Sequence, residues 1–211
     1  MSAGCGCHEV NFEGLDPAYK RALILVIIIN ALMFLVEMPM GFVGNSQALK
    51  ADALDFLADT LTYGISLYVI GKANHLRAKV ALMKGFSLFA MGLWVLGSTI
   101  YSVFYLQQPT VLIMGSVGFA ALSANLISVL LLVKYKDGDA NVRSVWLCSR
   151  NDAINNVMVL IAASGVWATN TGWPDIIVAG IMASIFISGA FSIITQARHE
   201  LEHIKSHSAA E

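Results

Sequence analysis

Six stretches of this chain stay apolar for about 20 residues or more, the length a helix needs to cross the hydrocarbon core of a bilayer. They lie at roughly 22–43, 48–70, 80–104, 111–133, 144–167 and 174–196, each end read to within about 2–4 residues. In lipid every backbone N–H and C=O must find a partner inside the protein, which leaves helices or a closed barrel. Runs this long, with no alternation of polar and apolar residues, exclude the barrel. The expected fold is all-α: a polytopic membrane protein of six transmembrane helices. Composition points the same way, because 57% of the 211 residues are hydrophobic and only 13% are charged, against about 25% charged in a soluble domain. A soluble enzyme of ordinary architecture is excluded. So is a basic nucleic-acid binder, since the formal net charge is -1. Two of the 3 cysteines fall in the first seven residues, too few and too clustered for a disulfide framework. The first span follows a polar tail and is not trailed by a small-residue cleavage site, so it reads as a permanent span rather than a removable signal.

Lys and Arg set the orientation. Lys20 and Arg21 precede the first span. Lys72, Arg77, Lys79 and Lys84 surround the connection from the second to the third. Lys134, Lys136 and Arg143 surround that from the fourth to the fifth, and Arg198 and Lys205 follow the sixth. The alternate connections, at 44–47, 105–110 and 168–173, hold none, although Lys50 lies close to the first. Basic residues are retained on the cytoplasmic side, so both termini are expected to be cytoplasmic. The chain divides into a tail at 1–21, a six-helix domain at 22–196 and a short tail at 197–211. Cys5, Cys7 and His8 form a soft-ligand cluster in the first tail, and His199, His203 and His207 repeat at i+4 in the last. Either group can capture metal, or can be an incidental part of a polar tail.

Five carboxylates fall deeper than the first turn of the apolar runs: Glu37, Asp52, Asp55, Asp59 and Asp152. Each costs about 2.5–3.5 kcal/mol to insert at mid-membrane, so such residues are rare and usually functional. Asp55 and Asp59 are spaced i, i+4 and share a helix face, with Asp52 joining the stripe one turn away. Cys148 and Asp152 repeat the i, i+4 spacing on the fifth span, beside Asn151 and Asn155. Carboxylates this close repel unless a cation sits between them or one keeps its proton. Two facing helices with two donors each make a four-coordinate pocket suited to a small divalent transition metal, Zn²⁺ first. Asp55, Asp59 and Asp152 supply three ligands; the fourth is Cys148 or one of Asn151, Asn155 and Asn156. Such ligands deprotonate to bind metal, so exchange of metal against protons follows. Elsewhere, Asn30 and Glu37 share a face of the first span, read as an interhelical hydrogen bond or a part in proton coupling. Gly180, Ser184 and Ser188 make a small-residue stripe on the sixth, expected to pack closely against another helix, within the protomer or between protomers.

The run from Gly44 through Asn45-Ser46-Gln47-Ala48-Leu49 to Asp55-Phe56-Leu57-Ala58-Asp59 resembles the second-span signature of the cation diffusion facilitators. In that signature a small-Ser-x-Ala-Leu approach leads to Asp-x-x-x-Asp or His-x-x-x-Asp. Cys148-Ser149-Arg150-Asn151-Asp152 resembles their fifth-span His-x-x-x-Asp, with cysteine in place of histidine. The resemblance covers all six spans. It implies a homodimeric, non-enzymatic exporter in the plasma membrane. Such a protein carries Zn²⁺, Cd²⁺ or Co²⁺ out of the cytoplasm against protons by alternating access, with no cofactor beyond the transported ions. Asp55, Asp59 and Asp152 carry over as transport-site ligands. A thiolate at Cys148 favours Cd²⁺ or Zn²⁺ over Mn²⁺ or Mg²⁺. The family commonly adds a cytoplasmic metal-binding domain after the sixth span, whereas this sequence stops about 15 residues beyond it, so a short form is expected.

Three rival readings remain. An intramembrane aspartyl protease pairs one Asp from each of two spans in a Gly-x-Gly-Asp setting, which this chain lacks. A proton-coupled exporter of organic cations wants an aromatic-lined cavity around one acid. A membrane metal sensor or chaperone binds the same ions and differs only in moving none of them.

Overall fold

The first helix begins at a polar cap. Asp16 accepts a hydrogen bond from the Ala18 N–H at 2.8 Å, and Pro17 stands in the first turn, where its missing N–H costs nothing. From there the computed structural model, which describes residues 16–69, 74–105, 108–136 and 140–208, is helical almost throughout. The helices are α1 (Pro17–Val43), α2 (Gln47–Val69), α3 (Asn74–Phe104), α4 (Val111–Leu132), α5 (Ala140–Thr169) and α6 (Trp173–Ser208). A single 3-10 turn, Val133–Tyr135, finishes α4, and there is no strand among the described residues. The chain is therefore an all-helical polytopic membrane protein with the six expected helices.

Two tight connections turn on asparagine. Asn45 and Asn170 both have φ 52°, a left-handed conformation that asparagine tolerates better than most residues. Pro39 lies within α1 without ending it, as membrane helices allow. Successive helices run up and down, so α1, α3 and α5 begin, and α2, α4 and α6 finish, at one end. That end, which carries the Lys- and Arg-bearing connections, is called the basic end below. Here the helices outrun the apolar stretches: α1 starts at Pro17, α3 at Asn74 and α5 at Ala140, while α6 continues to Ser208, past His199, His203 and His207. Apolar periodicity marks the limit of hydrocarbon, but a helix keeps satisfying its backbone beyond it. The cluster of Cys5, Cys7 and His8 lies outside the described residues.

Four helices, α1, α3, α4 and α6, are long and apolar enough to cross a membrane on composition alone. The other two, α2 and α5, carry the acids and are more polar. They are sheltered by their neighbours: α2 touches every other helix, and α5 packs on α4. Lipid-facing positions such as Leu112, Leu130 and Trp167 are exposed. A larger apolar cluster around Leu49, Met114, Val159, Met182 and Phe186 fills the middle and far end of the bundle. A smaller one, including Tyr19, Tyr63, Leu132 and Val145, closes α1, α2, α4 and α5 at the basic end.

The closest helix pair is α3 on α6, and it is α3 that supplies the small residues. A Cβ added at Gly92 would stand 2.8 Å from Ile187 Cγ1, and one at Gly85 3.3 Å from the Ile194 backbone nitrogen. The expected stripe on α6 behaves otherwise. Gly180 has nothing within 4 Å of an added Cβ, and the Ser184 and Ser188 hydroxyls turn back to their own helix at Gly180 O and Ile185 O. Spacing identified small residues, but which face meets a neighbour is decided by the helix opposite.

At the far end, Asp175 of α6 ties down the start of α2. Its carboxylate accepts hydrogen bonds from Ser46 Oγ (2.6 Å), Gln47 N (2.7 Å) and Ala48 N (3.0 Å), while Ser46 Oγ in turn accepts from Leu49 N at 3.0 Å. Gln47 Nε2 reaches Ser102 Oγ of α3 at 2.5 Å. A carboxylate is thus borrowed from another helix to satisfy donors at a helix start that is itself buried. Asp175→Ala strands those donors and should cost about 2–4 kcal/mol, against about 1 kcal/mol for Asp16→Ala at its exposed cap. Thermal unfolding in detergent checks this; equal losses would show that the buried cap contributes nothing special.

Candidate metal site

The spacing of the acids along α2 is converted by helical geometry into a single stripe. Asp52, Asp55 and Asp59 face the interior about mid-length of α2, and Asp152 meets them from the first half of α5. Asp55 lies beside Asp59, Asp152 and Asn155, and Asp59 lies beside Asp152 and Tyr63. The two helices therefore bring together the three carboxylates that sequence spacing singled out. Cys148 lines the same cavity, with its thiol free and exposed.

The three asparagines separate. Asn155 is the one beside Asp55. Asn156 is fully buried, and its Nδ2 donates back to the Asp152 carbonyl at 2.8 Å, which steadies the turn that presents Asp152. Asn151 points outward and accepts from Arg150 at 3.3 Å, while the Arg150 guanidinium lies over the Trp146 ring at 5.5 Å. Arg150 and Asn151 thus anchor the surface of α5 and stand away from the acids.

A cavity of about 430 Å³ adjoins the carboxylates. Asp55, Asp59, Cys148 and Asp152 form its deep wall. Ser66 of α2, Lys84 of α3 and Ile193 of α6 line it toward the basic end. On the other side of the acids the bundle is shut. Asp52, Asp55, Phe56, Asp59, Asn125 and Asp152 bound a gap with no free room for a water molecule, and Ala48, Leu49 and Ala51 above it are wholly buried. A separate cavity of about 400 Å³, lined by Lys50, Ser98, Tyr101 and Asp175, lies at the far end. Among the described residues, the cavity that reaches the acids opens toward the basic end.

Hydrogen bonding leaves the acids with capacity to spare. Asp55 Oδ2, Asp152 Oδ2 and both oxygens of Asp52 and Glu37 are buried with no N–H or hydroxyl donor, and Glu37 and Asp52 lie carboxyl to carboxyl. The hydrogen bond expected between Asn30 and a neighbouring helix does not form at Asn30 Oδ1, which is likewise buried and unpartnered. Such groups are costly in a low-dielectric interior unless something charged or protonic completes them. As the side chains stand, no three His, Cys, Asp or Glu residues among those described are gathered tightly enough to hold one ion.

Sequence reasoning passed over four residues that shape this region. Asp175 reads as an ordinary first-turn acid after Pro174, and its partner Ser46 is 129 positions away. Lys84 reads as one more basic residue near a span end. Tyr63, whose hydroxyl lies 3.3 Å from Ser149 Oγ, and Asn125, on a helix with no other site residue, have no local pattern that marks them.

The cation efflux transmembrane domain, as a family, matches residues 23–201. A Bacillus subtilis protein described as a cadmium, cobalt and zinc/H(+)-K(+) antiporter is 23% identical over 202 residues, 88% of this chain and 64% of that protein. The zinc transporter ZitB of Pectobacterium atrosepticum is 24% identical over 205 residues, 90% of this chain and 64% of its own length. The chain thus spans a little under two thirds of these relatives.

If these acids take a metal, Asp59→Ala and Asp152→Asn each weaken Cd²⁺ or Zn²⁺ binding by at least about 100-fold, roughly 2.7 kcal/mol. Arg150→Ala stays within about threefold of wild type. Equilibrium binding to purified protein gives the ranking, and an undiminished affinity in Asp59→Ala excludes the site.

Proposed function

The chain belongs to the cation efflux family, and from that premise we propose that it exports divalent transition-metal cations, Zn²⁺ first and Cd²⁺ or Co²⁺ beside it, in exchange for protons. Asp55, Asp59 and Asp152 are the ligands, with Cys148 as the fourth. The observation that carries this reading is the meeting of the two i, i+4 pairs at the closed end of a cavity. Cys148 is preferred to the asparagines because it lines that cavity, which Asn151, Asn155 and Asn156 do not.

The exchange follows from charge. Three carboxylates cannot stay ionised together in a low-dielectric interior, so they hold either a divalent cation or protons. With the basic end cytoplasmic, the present conformation is inward-open: metal enters along α2, α3, α5 and α6 and displaces protons from the acids. Release outward requires the contact of α2 with α5 and α6 to close at the basic end and open at the far end. There Ser46, Gln47 and Asp175 hold the helices together. Protons returning from outside then neutralise the acids and permit the return step. The working unit is a homodimer in the plasma membrane.

The test is flux into sealed proteoliposomes under a pH gradient, with Zn²⁺, Cd²⁺, Co²⁺ and Mn²⁺ offered in turn. Zn²⁺ and Cd²⁺ move, with proton movement in the opposite sense, and Mn²⁺ moves least. Cys148→Ser lowers the Cd²⁺ to Co²⁺ ratio, since a hard oxygen replaces a soft sulfur. Binding weakens as pH falls, because protons compete for the same oxygens. Metal that binds but does not move would identify a sensor or chaperone instead.

A further inference from the structure

Lys84 sits where a lysine is expensive. It lies inside the apolar part of α3, which runs from Ala81 to Phe104, and about 15 Å along the helix from its start at Asn74. A cation within hydrocarbon costs about 2.5–3.5 kcal/mol unless it is paired or reaches the interface. Lys84 is only half-buried, and it lines the cavity together with Asp55, Asp59, Cys148 and Asp152. Among the described residues lining that cavity it is the one cation. The ionisable groups nearest it are Asp59 and Cys148. The remaining charges facing the cavity all belong to α2 and α5, since α6 contributes only Ile185, Phe186, Gly189 and Ile193.

We propose that Lys84 is a tethered counter-cation that holds the empty cavity against monovalent ions and yields it to divalent ones. The inference deepens the transport reading and rests on it. When no metal is bound and protons do not occupy all three acids, a single ammonium fixed to the wall offsets part of the negative charge that remains on them. Because it is covalently held, its local concentration is in the millimolar range or higher, and a free Na⁺ or K⁺ gains no charge advantage by displacing it. A divalent ion does: its attraction to each carboxylate is doubled at the same distance, and carboxylate and thiolate coordinate it directly, which an ammonium cannot imitate. Removing the lysine should therefore tighten metal binding, since a like charge has left the site, and should let monovalent salt compete.

The experiment is equilibrium Cd²⁺ binding to purified wild type, Lys84→Met, Lys84→Gln and Lys84→Arg. Each is measured in potassium chloride and in N-methylglucamine chloride of equal ionic strength, with Asp59→Asn as reference. In N-methylglucamine, Lys84→Met and Lys84→Gln bind about tenfold more tightly than wild type, and potassium removes most of that gain. Wild type and Lys84→Arg change by less than about twofold between the salts. Affinity in Lys84→Met equal to or weaker than wild type overturns the counter-cation, and a tightened affinity indifferent to potassium overturns the exclusion of monovalent ions. Two neutral replacements that bind alike rule out a packing defect particular to one side chain. Wild-type binding that does not weaken in Asp59→Asn would instead overturn the transport site itself, whatever Lys84 does.

Discussion

Mutual repulsion of carboxylates in a medium that cannot screen them governs this molecule. Asp55, Asp59 and Asp152 sit together inside the bundle, and one oxygen each of Asp55 and Asp152 is buried without a hydrogen-bond partner, a state that apolar surroundings penalise by several kcal/mol. The fold is arranged to limit that cost. α2 is wrapped by all five other helices, and the apolar faces of α1, α3, α4 and α6 are presented to lipid. What the fold does not remove is the need for compensating charge. A bundle that only had to be stable would replace these acids with leucines, since buried ionic groups are often less stabilising than apolar ones of similar size. Their presence is the strongest physical argument for an ion.

The second constraint is the asymmetry of access. At the far end α2 is fastened through Ser46, Gln47 and Ala48 to a carboxylate of α6, and through Gln47 to α3. At the basic end the same helices diverge enough to leave a cavity of about 430 Å³. Tight α3–α6 packing at Gly85 and Gly92 makes those two helices a unit against which the acid-bearing pair can tilt. The proposed alternating access would then need a rearrangement of packed helices rather than unfolding of any of them, in keeping with discrete two-state packing in dense interiors.

Much of this was legible in the sequence because lipid enforces simple rules. Apolar runs located all six helices, and i, i+4 spacing identified the carboxylates that meet. Composition even marks α2 and α5 as unusual, since the acids they carry contribute to their falling short of apolar spans. What escaped reading depends on partners distant in sequence. Asp175 matters through Ser46, Lys84 through the cavity it enters, and Asn125 through its position opposite α2. None has a local signature. At the basic end the helices run several residues past the apolar spans, because hydropathy reports the membrane boundary, not the end of hydrogen bonding. The Gly180, Ser184 and Ser188 stripe has no neighbour at Gly180 within the protomer, which leaves packing between protomers as its remaining expectation.

The most direct test of the account is anomalous scattering from crystals of the protein loaded with Zn²⁺ or Cd²⁺. It predicts one dominant peak between α2 and α5, with carboxylate oxygens of Asp55, Asp59 and Asp152 drawn in to about 2.0–2.2 Å of a bound Zn²⁺. A cavity left empty, with the peak at the terminal histidines or beside Glu37 and Asp52, would contradict it.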